Sequence, residues 1–71
     1  MKVDAIGLIC PEPIMLLHQA IYESKSGDTV ELVATDPTSI KDVQKFCEYL
    51  NHELLSFNKN EETLIFLVKK R

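Results

Sequence analysis

Long apolar runs are missing from this chain. The longest extends only from Leu64 to Val68, whereas a membrane-spanning helix needs about twenty residues. Met1-Lys2-Val3-Asp4 opens the sequence without the apolar segment of a secretory leader. Both absences predict a cytoplasmic protein with no membrane contact. A basic excess is missing too: eight Lys and Arg face eleven Asp and Glu, a net charge of −3. A domain that grips a phosphate backbone normally carries the opposite balance, so direct, high-affinity nucleic-acid binding is not expected. The one dense basic cluster, Lys69-Lys70-Arg71, reads as a solvated tail. Cysteine is scarce, with only Cys10 and Cys47. That is too few for the disulfide framework of a small secreted domain. It is also too few for a zinc site, because neither His18 nor His52 stands three or four residues from a cysteine. No metal and no resident cofactor are expected.

What is present is a single small domain, residues 1–71, in which 45% of the residues are apolar. A domain this short buries only about 60% of its unfolded surface, so nearly every apolar residue is needed for packing. Val3 and Ala5 alternate with Lys2 and Asp4 as a first strand. Ile14, Leu17 and Ile21, with Leu16 and Ala20 beside them, form the apolar stripe of a helix that opens at Pro11 and stops at Gly27. Thr29 to Thr35 alternates as a second strand. Asp36 reads as the N-cap of a second helix with Pro37 at its first position. Ile40, Val43, Cys47 and Leu50 carry that helix's stripe, with Phe46 adjoining. Leu54 to Lys59 and Thr63 to Lys69 predict a hairpin across the polar segment Asn58–Glu62. Its second strand is apolar on both faces, as a central strand is. The order βαβαββ predicts an α/β (α+β) two-layer sandwich: a four-stranded mixed sheet with two helices on one face. Each crossover is expected to join parallel neighbours.

One segment breaks the economy of a small fold. Ile6-Gly7-Leu8-Ile9 is an apolar loop, expected to tuck partly under the domain or face a partner. Cys10 then occupies the expected N-cap of the first helix, where Ser, Thr, Asp or Asn would stabilise more. Pro11 and Pro13 follow at the first and third helical positions, where missing N–H groups are tolerated. The N–H groups of Glu12 and Ile14 are left to point at the sulfur. The helix dipole stabilises an anion there by about 0.3–1 kcal/mol. At about 1.36 kcal/mol per pKa unit, it lowers a thiol by less than about one unit. With the Glu12 carboxylate opposing, a mildly activated thiol is expected. A thioredoxin-type pair would need its resolving thiol at the position of Pro13, so no internal disulfide closes here. A sulfur loaded on Cys10 therefore has no neighbouring thiol to discharge it, which suits a carrier. Cys47, on an apolar stripe, reads as an inert core thiol. His18 and His52 read as surface or boundary residues.

Leu8-Ile9-Cys10-Pro11-Glu12-Pro13-Ile14, preceded by Asp4-Ala5-Ile6-Gly7, resembles the Cys-Pro-x-Pro signature of the TusA/SirA sulfur carriers. The resemblance continues through Gly27-Asp28-Thr29, Ala34-Thr35-Asp36-Pro37, Lys45-Phe46-Cys47 and Asn51-His52-Glu53-Leu54, and is greatest to the TusA branch. It implies the same βαβαββ sandwich. It also implies that Cys10 accepts persulfide sulfur from a cysteine desulfurase, with Pro11, Glu12 and Pro13 supporting it. The sulfur then passes to a TusBCD-like relay complex, for 2-thiolation of the tRNA wobble uridine. Other members feed molybdenum-cofactor synthesis or sulfur oxidation. The chemistry implied is sulfur transfer, not stand-alone turnover. One departure is that many relatives carry a basic pair where this chain has His18-Gln19, which leaves the partner contacts open. Two other classes compete with this reading. A binding or regulatory module would use Cys10 structurally; the fold resembles a domain of a bacterial translation initiation factor, but the acidic balance opposes RNA contact. A redox sensor would need Cys47 as the resolving thiol, and a core position suits that poorly.

Overall fold

Residues Met1–Arg71 are all described by the computed structural model. The elements follow the periodicity of the chain: β1 (Lys2–Ala5), α1 (Glu12–Glu23), β2 (Thr29–Ala34), α2 (Ser39–Leu50), β3 (Glu53–Asn60) and β4 (Thr63–Lys69). The sheet order is β1-β2-β4-β3. β1 runs parallel to β2, with Val3 opposite Leu32 and Ala5 opposite Ala34. β4 lies antiparallel to both β2 and β3. The expectation of parallel neighbours therefore holds for the first crossover and fails for the second. β2 and β3 do run in the same direction, but β4 sits between them. Its two apolar faces explain why: Leu64, Phe66 and Val68 are buried on one side, and Ile65 and Leu67 are half-buried on the other. Such a strand loses more at an edge than the mostly exposed β3 does.

One core joins both layers. Leu17, Ala20 and Ile21 of α1 and Val43, Phe46 and Cys47 of α2 meet Ala5, the alternating set Val30, Leu32 and Ala34 of β2, and Leu64, Phe66 and Val68 of β4. Because the strands contribute alternate residues, both helices lie on the same face of the sheet. Leu17, Leu32, Val30, Val43, Phe66 and Val68 are fully buried; burial of each stabilises the fold by about 1.5–3 kcal/mol. Cys47 is in the core, as its stripe predicts. Leu50 is not: it closes α2 at 39% exposure, because the helix ends at Asn51 before covering it. Asn51 adopts the left-handed conformation, φ 60°, typical of a helix stop.

Three local details differ from the sequence reading. The hairpin turn is shorter than the Asn58–Glu62 segment. Only Glu61 and Glu62 turn, Glu61 with φ 59°, and β3 continues to pair Asn60 with Thr63. A bulge between Leu54 and Ser56 leaves Leu55 without a partner on β4. The C-terminal basic residues are not a free tail. The Lys70 N–H donates to the Asp28 carbonyl, its carbonyl accepts from Gly27 N–H (both 2.8 Å), and its ammonium reaches the Ser24 carbonyl. The Arg71 N–H donates to His52 Nδ1 at 3.1 Å.

Candidate functional site around Cys10

Parallel strands with crossover helices put the start of each helix at the carboxyl end of the strand before it. β1 and β2 end at Ala5 and Ala34, paired neighbours. The segments that follow them, Ile6–Pro11 and Thr35–Thr38, therefore meet at one sheet edge. Side-chain acceptors pin the first segment. Asp4 Oδ1 takes the Ile6 N–H, Thr35 Oγ1 takes the Gly7 N–H (both 3.0 Å), and Asp36 Oδ2 takes the Cys10 N–H at 2.7 Å. Gly7 adopts φ 82°, a left-handed conformation that strains other residues. The apolar loop divides as expected: Leu8 packs on the core, while Ile6 and Ile9 are exposed, Ile9 at 71%.

The helix begins one residue later than the sequence reading placed it. Pro11 is the cap residue, Glu12 is the first helical residue and Pro13 follows it. Cys10 thus precedes the cap, and its peptide bond to Pro11 is cis. The Glu12 N–H is not left for the sulfur, because it donates to the Ile9 carbonyl at 2.9 Å. Pro13 is buried, whereas Pro11 and Glu12 are exposed. The second helix shifts too. Thr38, not Asp36, occupies its cap position, and Asp36 Oδ1 accepts the Thr38 N–H at 3.0 Å. One carboxylate therefore ties the start of α2 to the Cys10 backbone. Those N–H groups and the Thr38 hydroxyl hold the Asp36 carboxyl below the ordinary carboxylate range.

The sulfur's partner is on α2. Cys10 Sγ donates to Asp42 Oδ2 at 3.3 Å. That hydrogen bond, then desolvation, then the Asp42 charge push the thiol's pKa upward; the Thr38 hydroxyl opposes and the Asp36 charge adds slightly. The expectation of a mildly activated thiol is therefore overturned. A carboxylate in hydrogen-bond contact favours the protonated sulfur more than a helix dipole, with its nearest N–H already used, favours the anion.

Cys10 opens onto a shallow groove of about 390 Å³ between the helices, lined by Pro11, Ile14, Asp42, Lys45, Phe46, Tyr49 and Leu50. Its walls are mostly apolar, and Tyr49 is 76% exposed. A hollow of about 330 Å³ beyond Thr35 and Ile40 holds no thiol or histidine. Cys47 is buried and desolvation raises its pKa, so it faces the core rather than this groove. The two histidines both meet Phe46: His18 edge-on at 5.6 Å and His52 stacked at 5.5 Å. His18 remains exposed and His52 half-buried. No cluster of three or more His, Cys, Asp or Glu side chains is arranged to hold a metal ion.

Sequence reasoning singled out Cys10 and its prolines but not Asp36 and Asp42, whose carboxylates hydrogen-bond Cys10. These lie 26 and 32 residues away along the chain. The available signal was topological: a βαβ unit brings the segments after two parallel strands to one edge, where α/β folds commonly build their sites.

The family model described as Sulfurtransferase TusA matches residues 1–70. The chain is 40% identical over 70 residues to the sulfur carrier protein TusA of Pseudomonas syringae pv. syringae (strain B728a), covering 99% of this chain and 83% of that one. It is 41% identical over 69 residues to the sulfur carrier protein TusA of Pseudomonas putida (strain GB-1), covering 97% and 86%. The crystal structure of a SirA-like protein from Desulfitobacterium hafniense superposes with a TM-score of 0.85 at 21% identity, covering 96% of this chain and 93% of that one, and establishes the shared fold. By sequence over nearly its whole length, this chain belongs to the TusA family.

Proposed function

We propose that this protein is a sulfur carrier that accepts persulfide sulfur on Cys10 from a cysteine desulfurase and passes it to an acceptor protein. The observation that carries this reading is one exposed thiol at the edge of an open, apolar-walled groove, with the only other thiol buried in the core. A protein nucleophile can approach such a sulfur, and no internal thiol competes for the load. In the loading step Cys10 sulfur attacks the outer sulfur of the donor's persulfide. One S–S bond forms and the donor's S–S bond breaks. The donor's thiolate leaves and takes up the proton that Cys10 releases. Discharge repeats the step, with the acceptor's thiol as nucleophile.

Pro11, which walls the groove, and Pro13, buried beneath the first turn, stiffen the backbone that follows the sulfur. Glu12 is the exposed member of the motif and is available to a partner. The end use we assign is 2-thiolation of the tRNA wobble uridine through a TusBCD-like relay in the cytoplasm. The acidic balance makes the acceptor a protein rather than the tRNA itself. No helix is long and apolar enough to cross a membrane.

Intact-mass measurement after incubation with a desulfurase and L-cysteine tests this. A gain of about 32 Da that a reductant removes and Cys10→Ser lacks is the expected result. An equal gain in Cys10→Ser would refute it.

A further inference from the structure

The groups around the sulfur are unusual for a thiol that must act as a nucleophile. Asp42 on α2 accepts the S–H hydrogen bond, and Asp36 before α2 accepts the N–H of the same residue. Glu12 stands on the first turn of α1. The only cation lining the groove is Lys45, and Asp42 has no ion-pair partner within 4.0 Å; the sole salt bridge of the protein joins Lys2 to Glu31. The remaining polar neighbours, Thr38 and Tyr49, bring no formal charge. An unpaired carboxylate at 3.3 Å from sulfur has one electrostatic consequence: it is compatible with S–H and repels S⁻.

We propose that Asp42 is the positioning residue of this thiol: its carboxylate anchors the Cys10 side chain and holds the unloaded sulfur as the neutral thiol. Under the carrier reading, on which this consequence rests, uptake then begins only when the Asp42 carboxylate is drawn off the sulfur. A donor achieves that by offering it a cation or another hydrogen-bond donor at the groove. The thiol proton leaves as the new S–S bond forms and ends on the donor's departing sulfur, so no oxidant or reductant is required. The raised thiol pKa agrees with this geometry, and the Asp42 hydrogen bond is its largest cause.

The test is the pH profile of Cys10 alkylation by iodoacetamide, read from the mass of the Cys10 peptide so that Cys47 does not contribute. Asp42→Asn and Asp42→Ser each remove the charge. Glu48→Gln removes a charge from an exposed position of the same helix, away from the groove. The expected result is a lower midpoint in either Asp42 variant: the thiolate fraction at neutral pH rises about tenfold for each unit the midpoint falls, and alkylation rises about threefold, because the more acidic thiolate is the weaker nucleophile. Glu48→Gln should leave the profile in place. Unchanged midpoints in folded Asp42 variants, or an equal shift in Glu48→Gln, would overturn the proposal. Far-UV circular dichroism confirms folding, and two different replacements guard against one that fails to fold. The carrier reading fails separately: a shifted midpoint with no sulfur loading of the wild-type protein keeps Asp42's role and refutes the carrier. Normal loading with an unshifted midpoint does the reverse.

Discussion

Phe46 links the core to the groove, and replacing it tests how far the two depend on one another. Its ring is 8% exposed, meets His18 edge-on and His52 face-on, and forms part of the wall beside Cys10. Truncating a buried Phe to Ala costs about 3–5 kcal/mol, and each aromatic contact contributes about 0.5–1.5 kcal/mol beyond burial. The ring also lines a second small hollow, of about 170 Å³, next to Ile21 and His52. Both hollows reach solvent, so water can occupy part of the vacated space. This places Phe46→Ala near the lower end of its range, about 3 kcal/mol. A chain of 71 residues has roughly 4–11 kcal/mol to lose. The variant should therefore fold but melt roughly 12–24 °C lower, at about 4–8 °C per kcal/mol. With no tryptophan in the chain, far-UV circular dichroism in urea is the suitable probe, and the m value should not change. Phe46→Leu keeps most of the volume and should cost less than about 1.5 kcal/mol. A loss below about 1 kcal/mol for Phe46→Ala would refute the assignment of this ring to the core.

The remaining predictions concern a turn and a titration. Gly27→Ala should destabilise by about 1–2 kcal/mol in urea unfolding, because Gly27 sits at φ 89° with open space around it, so backbone strain alone is tested; an unchanged midpoint would show that the turn relaxes. Burial and the Arg71, Lys70 and His18 charges hold His52 below its ordinary value of 6.5. Just below that value the unfolded chain binds the proton that the folded chain does not. Stability should then fall as the pH is lowered through the window and level off below the folded pKa. His52→Gln should flatten that decline in melting temperature, and an identical decline in both proteins would exclude His52 as its source.

Much of the fold was legible because the patterns that specify it are local. Val30, Leu32 and Ala34, or Leu17, Ala20 and Ile21, record in their spacing which side of an element faces the core. The same patterns do not record which strand enters between two others, so β4 was recognised as central while the second crossover was misassigned. Helix starts were displaced for a similar reason. Asp36 has the residue type of an N-cap, but its two carboxylate oxygens are shared between Thr38 and Cys10, and α2 begins only after Thr38. Cys10 stood out because an apolar loop, a cysteine and two prolines in succession make little sense as packing. The upward push on its pKa was not legible, since the dipole argument counted the helix that follows the sulfur and not the carboxylate that topology brings from another.

A raised thiol pKa is the wrong choice for sulfur transfer only if loading is the one step considered. In exchange at sulfur, the nucleophilicity of a thiolate rises with its pKa, while a thiol of lower pKa is the better leaving group. When Cys10 carries a persulfide, any attack on the outer sulfur expels the Cys10 thiolate, and Asp42 and Asp36 oppose that anion. The carboxylates that slow uptake therefore also slow loss to small thiols in solution. An oxidoreductase benefits from the reverse arrangement, with an acidic cysteine that departs readily and a resolving thiol beside it. This chain has a buried proline at that position and its second cysteine in the core. Under the carrier reading, the carboxylate at the sulfur and the proline three residues on act in the same direction: each lengthens the time the load is kept, and release then depends on a partner that changes the electrostatics of the groove.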